Sequence, residues 1–209
     1  MRRAFLVLLV ACTRSPPPSV VVDASARFET HELPVHAVPT DFFPPDTFGS
    51  NEAFVSAWYG KHLEAMHEPS LWAATARGQT VYRFLWLRTF DKPIAVRVSL
   101  VGDHAHLVAT RLSGAGGYAP GTIETQRERD LPLSDIAKVE AALDAAQFDK
   151  LPPRTLGSLD GAQWIIERAK NGTYRIVDHW SPEPDDPFTR ACNLFLDLAG
   201  RDLVVGQVY

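Results

Sequence analysis

The stretch from residue 162 to residue 180 constrains the fold more than any other part of this sequence. Two runs rich in Trp, Ile, Val and Tyr lie on either side of Asn171-Gly172. Asn-Gly is the dipeptide that most readily supplies the two positive φ angles of a type I′ turn. The sequence therefore predicts a β-hairpin whose pairing runs outward from Lys170 opposite Thr173.

Side-chain alternation along this hairpin predicts two faces with different residues. One face carries Trp164, Ile166, Val177 and His179. The other face carries Ile165, Glu167, Ala169, Tyr174, Ile176 and Asp178. Glu167 is expected to lie diagonal to Asp178 on the adjacent strand, and both faces are half apolar.

The polar residues of the hairpin allow two interpretations. Close carboxylates push each other's pKa values apart, so Glu167 and Asp178 could serve as general acid and base, with His179 as a third candidate. Alternatively, both carboxylates lie on a partly wet face and pair with neighbouring basic residues. In that case His179 packs on Trp164, as imidazole rings beside indoles commonly do.

Composition and charge restrict the class of protein. The chain has 209 residues, of which 45% are hydrophobic and 22% charged, which is typical of one globular domain with a tail. The net charge is −4 and the basic residues are scattered, so nucleic acid is not an expected partner. With only Cys12 and Cys192 present, no disulfide framework is possible, and Cys192 is expected to be a buried thiol.

The first twelve residues have the pattern of an export signal. A positive start with Arg2 and Arg3 precedes a short apolar run and then a small residue before Cys12. The run is too short to span a bilayer. The alternative is a secretory signal cleaved elsewhere, with Cys12 incidental.

The sequence Leu-Val-Ala-Cys at residues 9–12 resembles the lipobox of bacterial lipoproteins. The resemblance implies cleavage after residue 11, so that 1–11 is a signal peptide, and attachment of acyl chains such as palmitate to Cys12. Acyl chains would hold a soluble domain on a lipid bilayer without a spanning helix. Thr13 replaces the Asp of inner-membrane retention signals, so the resemblance implies a cell-envelope protein anchored in the outer membrane.

Residues 12–50 are predicted to be a proline-rich tether that stays extended and holds the domain away from the membrane. Val20-Val21-Val22 and Phe42-Phe43 are apolar patches that could dock on the domain or bind a partner. The single folded domain is predicted to span 51–209. It is expected to begin with a helix over about 52–67 and a short helix near 70–76.

Three runs of strand composition follow, at 80–90, 94–101 and 105–112, and a polar run at 122–131 predicts a fourth strand. Together they predict an antiparallel meander. Three aromatic residues share one face of the first strand, and they either fill the core or bind a ligand by stacking: Tyr82, Phe84 and Trp86.

The sequence carries no strong metal or cofactor motif. His62 and His67 are five residues apart, which is not the spacing of two helical zinc ligands. His104 and His106 with Asp103 have a common and unspecific spacing. The glycine-rich loop at 113–121 lacks the ending of a phosphate-binding P-loop, so we expect a flexible connection or, alternatively, a mobile lid or binding loop.

Two further helices complete the predicted fold. Ser134 is expected to cap a helix that ends near Phe148, and Asp186 to cap a helix that ends at Gly200, after which 203–205 would add a short strand. The predicted class is α+β: an antiparallel sheet of about six strands, formed by a four-strand meander plus the hairpin, with about three packed helices.

Three segments of the second half are similar to predicted bacterial secreted proteins of unassigned function. They are Phe-Asp-Lys-Leu-Pro-Pro at 148–153, the run at 160–167 and the run at 174–182. The similarity implies a shared fold over about 80–200 and carries no catalytic residues.

Two functions are therefore expected from the sequence. The first is a membrane-anchored envelope lipoprotein that acts as a binding or structural module and contacts an envelope protein or a glycan. The alternative is a hydrolase of cell-wall glycan or peptide that uses the carboxylates of the 162–180 hairpin.

Overall fold

The computed structural model describes residues 42–155, 157 and 160–209. The helices are α1 (Glu52–Ala65), α2 (Leu71–Ala76), α3 (Leu133–Ala145) and α4 (Pro187–Ala199). The strands are β1 (Val81–Arg88), β2 (Ile94–Val101), β3 (His104–Leu112), β4 (Ile123–Leu131), β5 (Ala162–Lys170) and β6 (Thr173–Trp180).

All six strands form one antiparallel sheet in the order β4-β3-β2-β1-β5-β6. The meander β1 to β4 occupies one side, and the hairpin of β5 and β6 joins it beside β1. This arrangement confirms the predicted α+β class, with its meander, its hairpin and helices packed on the sheet.

The hairpin has the register that its turn predicts. Asn171 and Gly172 have φ angles of 51° and 72°, and Lys170 pairs with Thr173. The pairing continues without a shift to the far end of the two strands. A local turn signal thus determined which side chains share a face.

Each face of the sheet has its own core. On one face α3 and α4 cover an extensive apolar cluster that includes Trp86, Trp164 and Phe195. On the other face α1 and the segment before it cover a smaller cluster around Tyr59 and Leu85. Because both faces of β1 are covered, all eight of its residues are buried.

Helix α4 begins and ends as predicted. The Asp186 side chain accepts a hydrogen bond from the backbone N–H of Phe188 at 2.7 Å, and Pro187 occupies the first turn. Gly200 ends the helix with a φ of 96°, a conformation that costs an L-residue free energy.

Helix α3 and the C-terminal tail differ from the prediction. Pro132, not Ser134, is the N-cap of α3, and the helix ends at Ala145. Phe148 lies instead in a 3₁₀ turn, which follows Gln147 in the left-handed region. The expected strand at 203–205 is also wrong, because Arg201–Leu203 forms a 3₁₀ turn that places Leu203 in the core.

The folded domain includes residues that the sequence assigned to the tether. Phe42, Phe43 and Phe48 are buried in the core beneath α1, and the Phe48 ring contacts Tyr59 edge to face at 5.6 Å. The predicted docking of Phe42-Phe43 is thus observed. The residues predicted to form the signal peptide, Cys12 and the rest of the predicted tether lie outside the described residues.

Among the residues that the structure describes, none of the helices has both the length and the apolar composition needed to cross a bilayer.

Candidate functional site

Glu167, one of the predicted acid and base candidates, lies in a buried ion pair. It is opposite Arg83 in the sheet register, and the Arg83 guanidinium donates two hydrogen bonds to one Glu167 carboxylate oxygen, at 2.6 and 2.9 Å. The hydroxyl of Tyr174 donates to the other oxygen at 2.9 Å. Both charged side chains are completely buried. Glu167 therefore has a fixed set of donors and no open path to a substrate.

Arg83 extends this pair into a network under α1 and α2. Its guanidinium also donates to Glu68 at 3.2 Å and to the carbonyl oxygen of Pro69 at 2.7 Å. Glu68 accepts a further bond from Arg97 at 2.9 Å. The network fixes the connection between the two helices to the sheet, which is a structural role.

Asp178 lies on the same face but has different partners. It accepts a hydrogen bond from the hydroxyl of Tyr59 at 2.6 Å, and the Nε atom of Arg154 lies 3.2 Å from the same carboxylate oxygen. Burial raises the pKa of Asp178 to about 6, although the Tyr59 hydrogen bond and the Arg154 charge oppose this shift. Its side chain is also completely buried.

His179 lies on the opposite face of the sheet from both carboxylates. It is opposite Trp164 in the register, as predicted, and its ring packs on Phe188 with centroids 4.5 Å apart. Burial lowers the pKa of His179, so the neutral ring is favoured. The sheet itself therefore separates His179 from Glu167 and Asp178, and the three side chains share no cleft.

The aromatic stripe of β1 belongs to the core. Tyr82, Phe84 and Trp86 are completely buried on the face that α3 and α4 cover. The rings of Trp86 and Trp164 lie 4.8 Å apart, and the Tyr82 hydroxyl donates to Glu140 at 2.6 Å. The interpretation of this stripe as a ligand-stacking surface is corrected, because helices occupy the space above it.

The histidines of the first half contact carbonyl and carboxylate oxygens. His62 is buried with its ring nitrogens 2.9 and 3.4 Å from the carbonyl oxygens of Trp58 and Ala115, and burial lowers its pKa to about 4. His106 on β3 lies 2.9 Å from the carboxylate of Asp130 on the edge strand β4. Within the described residues, no cluster of His, Cys, Asp and Glu side chains is suited to hold a metal ion.

The glycine-rich loop is docked on the domain, contrary to the expectation of a flexible connection or lid. The N–H of Gly116 contacts two carbonyl oxygens, of Arg88 at 2.9 Å and of Asp91 at 3.0 Å. Its own carbonyl oxygen accepts a hydrogen bond from the Trp58 indole at 2.7 Å. A Cβ atom on Gly116 would lie 2.5 Å from the Arg88 carbonyl oxygen, so glycine permits this close approach.

An open groove lies where β1 and β6 end and β5 begins. Its volume is about 540 Å³, and it is lined by Phe90, Asp91, Asp160, Gly161, Ser181, Gly206, Gln207 and Tyr209. The size is in the range of small-molecule binding sites. None of these described lining residues was among the predicted site residues.

Hydrogen bonds between strand ends form the floor of the groove. The backbone N–H and the side-chain hydroxyl of Thr89 both donate to the carbonyl oxygen of Gly161, each at 2.9 Å. The Ser181 hydroxyl accepts from the backbone N–H of Ala162 at 2.9 Å. Ser181 has a φ of 39°, a conformation uncommon for serine that these neighbours hold in place.

The C-terminal tail forms one wall, and Arg88 fixes it. The buried Arg88 guanidinium donates to the carbonyl oxygens of Val205 and Gln207 at 2.8 and 2.9 Å and lies 4.3 Å from the centre of the Trp86 ring. The indole of Trp164 donates to the carbonyl oxygen of Tyr209 at 3.0 Å. The wall is thus bonded to the central strands.

Two exposed aromatic rings stand at the rim of the groove. Phe90 is 62% exposed and Tyr118 is 59% exposed, and their ring centroids lie 6.2 Å apart. Phe90 lines the groove, whereas Tyr118 is carried by the docked glycine-rich loop. A pair of exposed aromatic rings held by hydrogen-bonded loops offers a preformed apolar surface.

The groove is acidic. Asp91 and Asp160 contribute carboxylates, and none of its described lining residues is Lys or Arg. The nearest guanidinium, that of Arg88, lies 4.0 Å from the Asp91 carboxylate and is directed to the tail carbonyls. The site therefore favours neutral or cationic ligands over anions.

Sequence reasoning missed this groove because its residues come from four separate segments. A partial signal was nevertheless present: Tyr118 lies in the glycine-rich stretch at 113–121 and Tyr209 at the end of the sequence, whereas Phe90 falls at the end of the predicted strand run 80–90. Aromatic residues in loops have no strand or helix periodicity that explains them as core.

No protein-family model matches the chain, and the search of curated proteins also found no match.

Proposed function

We propose that this protein is a membrane-anchored lipoprotein of the bacterial cell envelope whose folded domain is a binding module, and that the groove is its binding site. The observation that carries the proposal is the preformed open groove, with exposed aromatic rings at its rim and carboxylates within it.

The rigidity of the groove supports a role in binding. Its floor, its tail wall and the loop that carries Tyr118 are each held by hydrogen bonds to the central strands. A site that is ordered before the ligand arrives loses less conformational entropy on binding.

The hydrolase alternative has no geometric support. Glu167 and Asp178 are buried in fixed contacts, and His179 lies across the sheet. Glycoside hydrolysis requires two carboxyl groups that flank a substrate bond in one cleft. The hairpin carboxylates therefore have structural contacts and no access to a substrate.

The anchoring part of the proposal is supported by the lipobox-like sequence at residues 9–12 and by the proline-rich residues that follow it. Labelling of cells with radioactive palmitate tests it. Label is expected on the wild-type protein and is expected to be absent from the Cys12→Ser variant. Equal labelling of both proteins, or of neither, would contradict acylation at this cysteine.

Crosslinking in cells tests the binding part. The groove predicts that a crosslinker placed at Gln207 captures envelope material, whereas one at the exposed Leu133 on α3 does not. Detection should use an antibody, because a C-terminal tag would lie beside Tyr209 in the groove. Equal capture from both positions would argue against the groove as the site.

A further inference from the structure

We infer that the ligand of the groove is a neutral or amino-sugar glycan. This inference rests on the proposed binding function and adds the chemical class of the ligand. It depends on two features of the groove, the aromatic rim and the set of hydrogen-bonding side chains.

The aromatic rim suits the apolar face of a sugar ring. Pyranose rings present a face of C–H groups that packs on an aromatic ring, and the ring quadrupole favours contact with those partly positive hydrogens. Phe90 is 62% exposed at the rim, and Tyr118 braces its ring at 6.2 Å between centroids. Phe90 thus offers a fixed platform next to the interior of the groove.

The polar residues of the groove suit sugar hydroxyl groups. The carboxylates of Asp91 and Asp160 accept hydrogen bonds, and the Gln207 amide both donates and accepts them. Sugar hydroxyls form dense sets of donors and acceptors, so they can satisfy such side chains together. An amino group on the sugar would add a charge-assisted bond to a carboxylate.

Other ligand classes fit less well. Phosphate-bearing ligands would meet Asp91 and Asp160 without a compensating basic side chain among the described lining residues. A fully apolar ligand would shield these carboxylates from water without offering them hydrogen bonds. A small quaternary ammonium ion prefers an aromatic cage, whereas this groove is open and its paired rings stand at the rim.

A second aromatic pair lies beside the same loop. Phe54 and Trp58 on α1 have ring centroids 5.9 Å apart, and the Trp58 indole donates to Gly116, two residues before Tyr118. Phe54 is 69% exposed. Phe54 is not among the described lining residues of the groove, so it is expected to contribute less to binding than Phe90.

Isothermal titration calorimetry on the full chain carrying Cys12→Ser tests the inference. The probes are tetrasaccharides of glucose, N-acetylglucosamine, glucosamine, galactose and mannose, with choline and tetralysine as cationic comparisons. We expect at least one tetrasaccharide to bind. The Phe90→Ala variant should bind it at least tenfold more weakly, a loss of about 1.4 kcal/mol in binding free energy, because the sugar loses its stacking platform. Phe54→Ala should change binding less than threefold.

A second pair of variants tests the C-terminal tail wall of the groove and leaves the aromatic rings at the rim in place. A Cβ on Gly206 would lie 2.0 Å from the Asp91 carboxylate, whereas one on Gly102 would meet nothing within 4 Å. Both glycines have positive φ, 88° and 59°, so alanine is strained at both positions. We expect Gly206→Ala to weaken tetrasaccharide binding at least fivefold and Gly102→Ala to leave it unchanged.

Three results would overturn the glycan inference. They are absence of binding to every tetrasaccharide at millimolar concentration, binding of choline or tetralysine alone, and tetrasaccharide binding that Phe90→Ala leaves unchanged. If Phe90→Ala nevertheless reduced binding to whole envelope material, the groove would remain a binding site with a ligand of another class. If Phe90→Ala changed neither the binding of tetrasaccharides nor the binding to whole envelope material, the proposed function would fail as well.

Discussion

The sequence did not predict that Arg83 and Glu167 form a buried ion pair. The hairpin register correctly located Glu167 on one face, but the partner comes from β1, a strand that the sequence could not place beside β5. Pairing with residues distant in the chain depends on strand order, which local signals do not specify. The acid and base interpretation arose because this partner was missing from the prediction.

Replacement of Arg83 should therefore destabilise the domain strongly. Arg83→Met leaves Glu167 buried without its cation, and breaking a buried pair from one side costs about 3–5 kcal/mol. Urea unfolding of wild type and variant measures the loss in the free energy of unfolding.

The matched control is Arg97→Met. Arg97 also pairs with Glu68 in the same network, but its side chain is 18% exposed. Its removal should cost no more than about 1 kcal/mol. Equal losses for the two variants would contradict the view that the network centres on Arg83.

Asp178 should make stability depend on pH. Its pKa is raised to about 6 in the folded state, from 3.8 for the free side chain, so the folded protein holds this proton to a higher pH than the unfolded chain does. The penalty for ionising the buried carboxyl is absent below the unfolded pKa and complete above pH 6. Its full size is about 3 kcal/mol.

The Asp178→Asn variant isolates this effect, because the amide does not titrate. We expect the free energy of unfolding of the variant to rise relative to wild type as the pH increases from about 4 to about 7. Urea unfolding at a series of pH values provides the comparison. A difference that stays constant with pH would show that Asp178 titrates normally.

At the scale of elements, the parts with local chemical signals were predicted well. The Asn171-Gly172 turn set the hairpin register, and Asp186 with Pro187 set the start of α4. By contrast, the glycine-rich loop was predicted to be flexible because glycines permit many conformations. Its docked position depends on contacts with α1 and the end of β1, which no local pattern encodes.

The docked loop should protect its amides from hydrogen exchange. Trp58→Phe keeps an aromatic ring but removes the donor to the Gly116 carbonyl oxygen, a bond with a net contribution of about 1 kcal/mol. We expect exchange at Gly116 and Gly117 to be slow in wild type and about fivefold faster in this variant. NMR-detected exchange measures both rates, and Phe54→Leu on the same helix should change neither. Fast exchange at Gly116 and Gly117 in the wild-type protein would instead indicate that the glycine-rich loop is flexible.

At the scale of the whole molecule, the sequence predicted the α+β class and the antiparallel sheet of about six strands, but not the start of the domain. Proline breaks the periodicity before residue 50, so Phe42, Phe43 and Phe48 were assigned to the tether. They complete the core beneath α1, where Phe43 is 3% exposed. The groove was also missed, because it exists only once separate segments of the chain meet.

Phe43 should consequently matter more for stability than an exposed aromatic residue nearby. Phe43→Ala is expected to lower the free energy of unfolding by about 3–5 kcal/mol, the usual cost of removing a buried ring. Phe54→Ala, at a position that is 69% exposed, should change it by less than about 0.5 kcal/mol. Thermal and urea unfolding of both variants make the comparison. If both variants changed the free energy of unfolding by similarly small amounts, residues 42–48 would not unfold cooperatively with the rest of the domain.

The central claim is that the groove is where this protein binds envelope material. The most direct test is co-sedimentation of the full chain carrying Cys12→Ser with isolated bacterial cell envelopes, because this change removes the proposed lipid anchor. This protein is expected to sediment with the envelopes, and Phe90→Ala is expected to abolish most of the binding. Leu133→Ala should have no effect, because Leu133 is exposed but is not among the described lining residues of the groove. Undiminished sedimentation of the Phe90→Ala protein would contradict the claim.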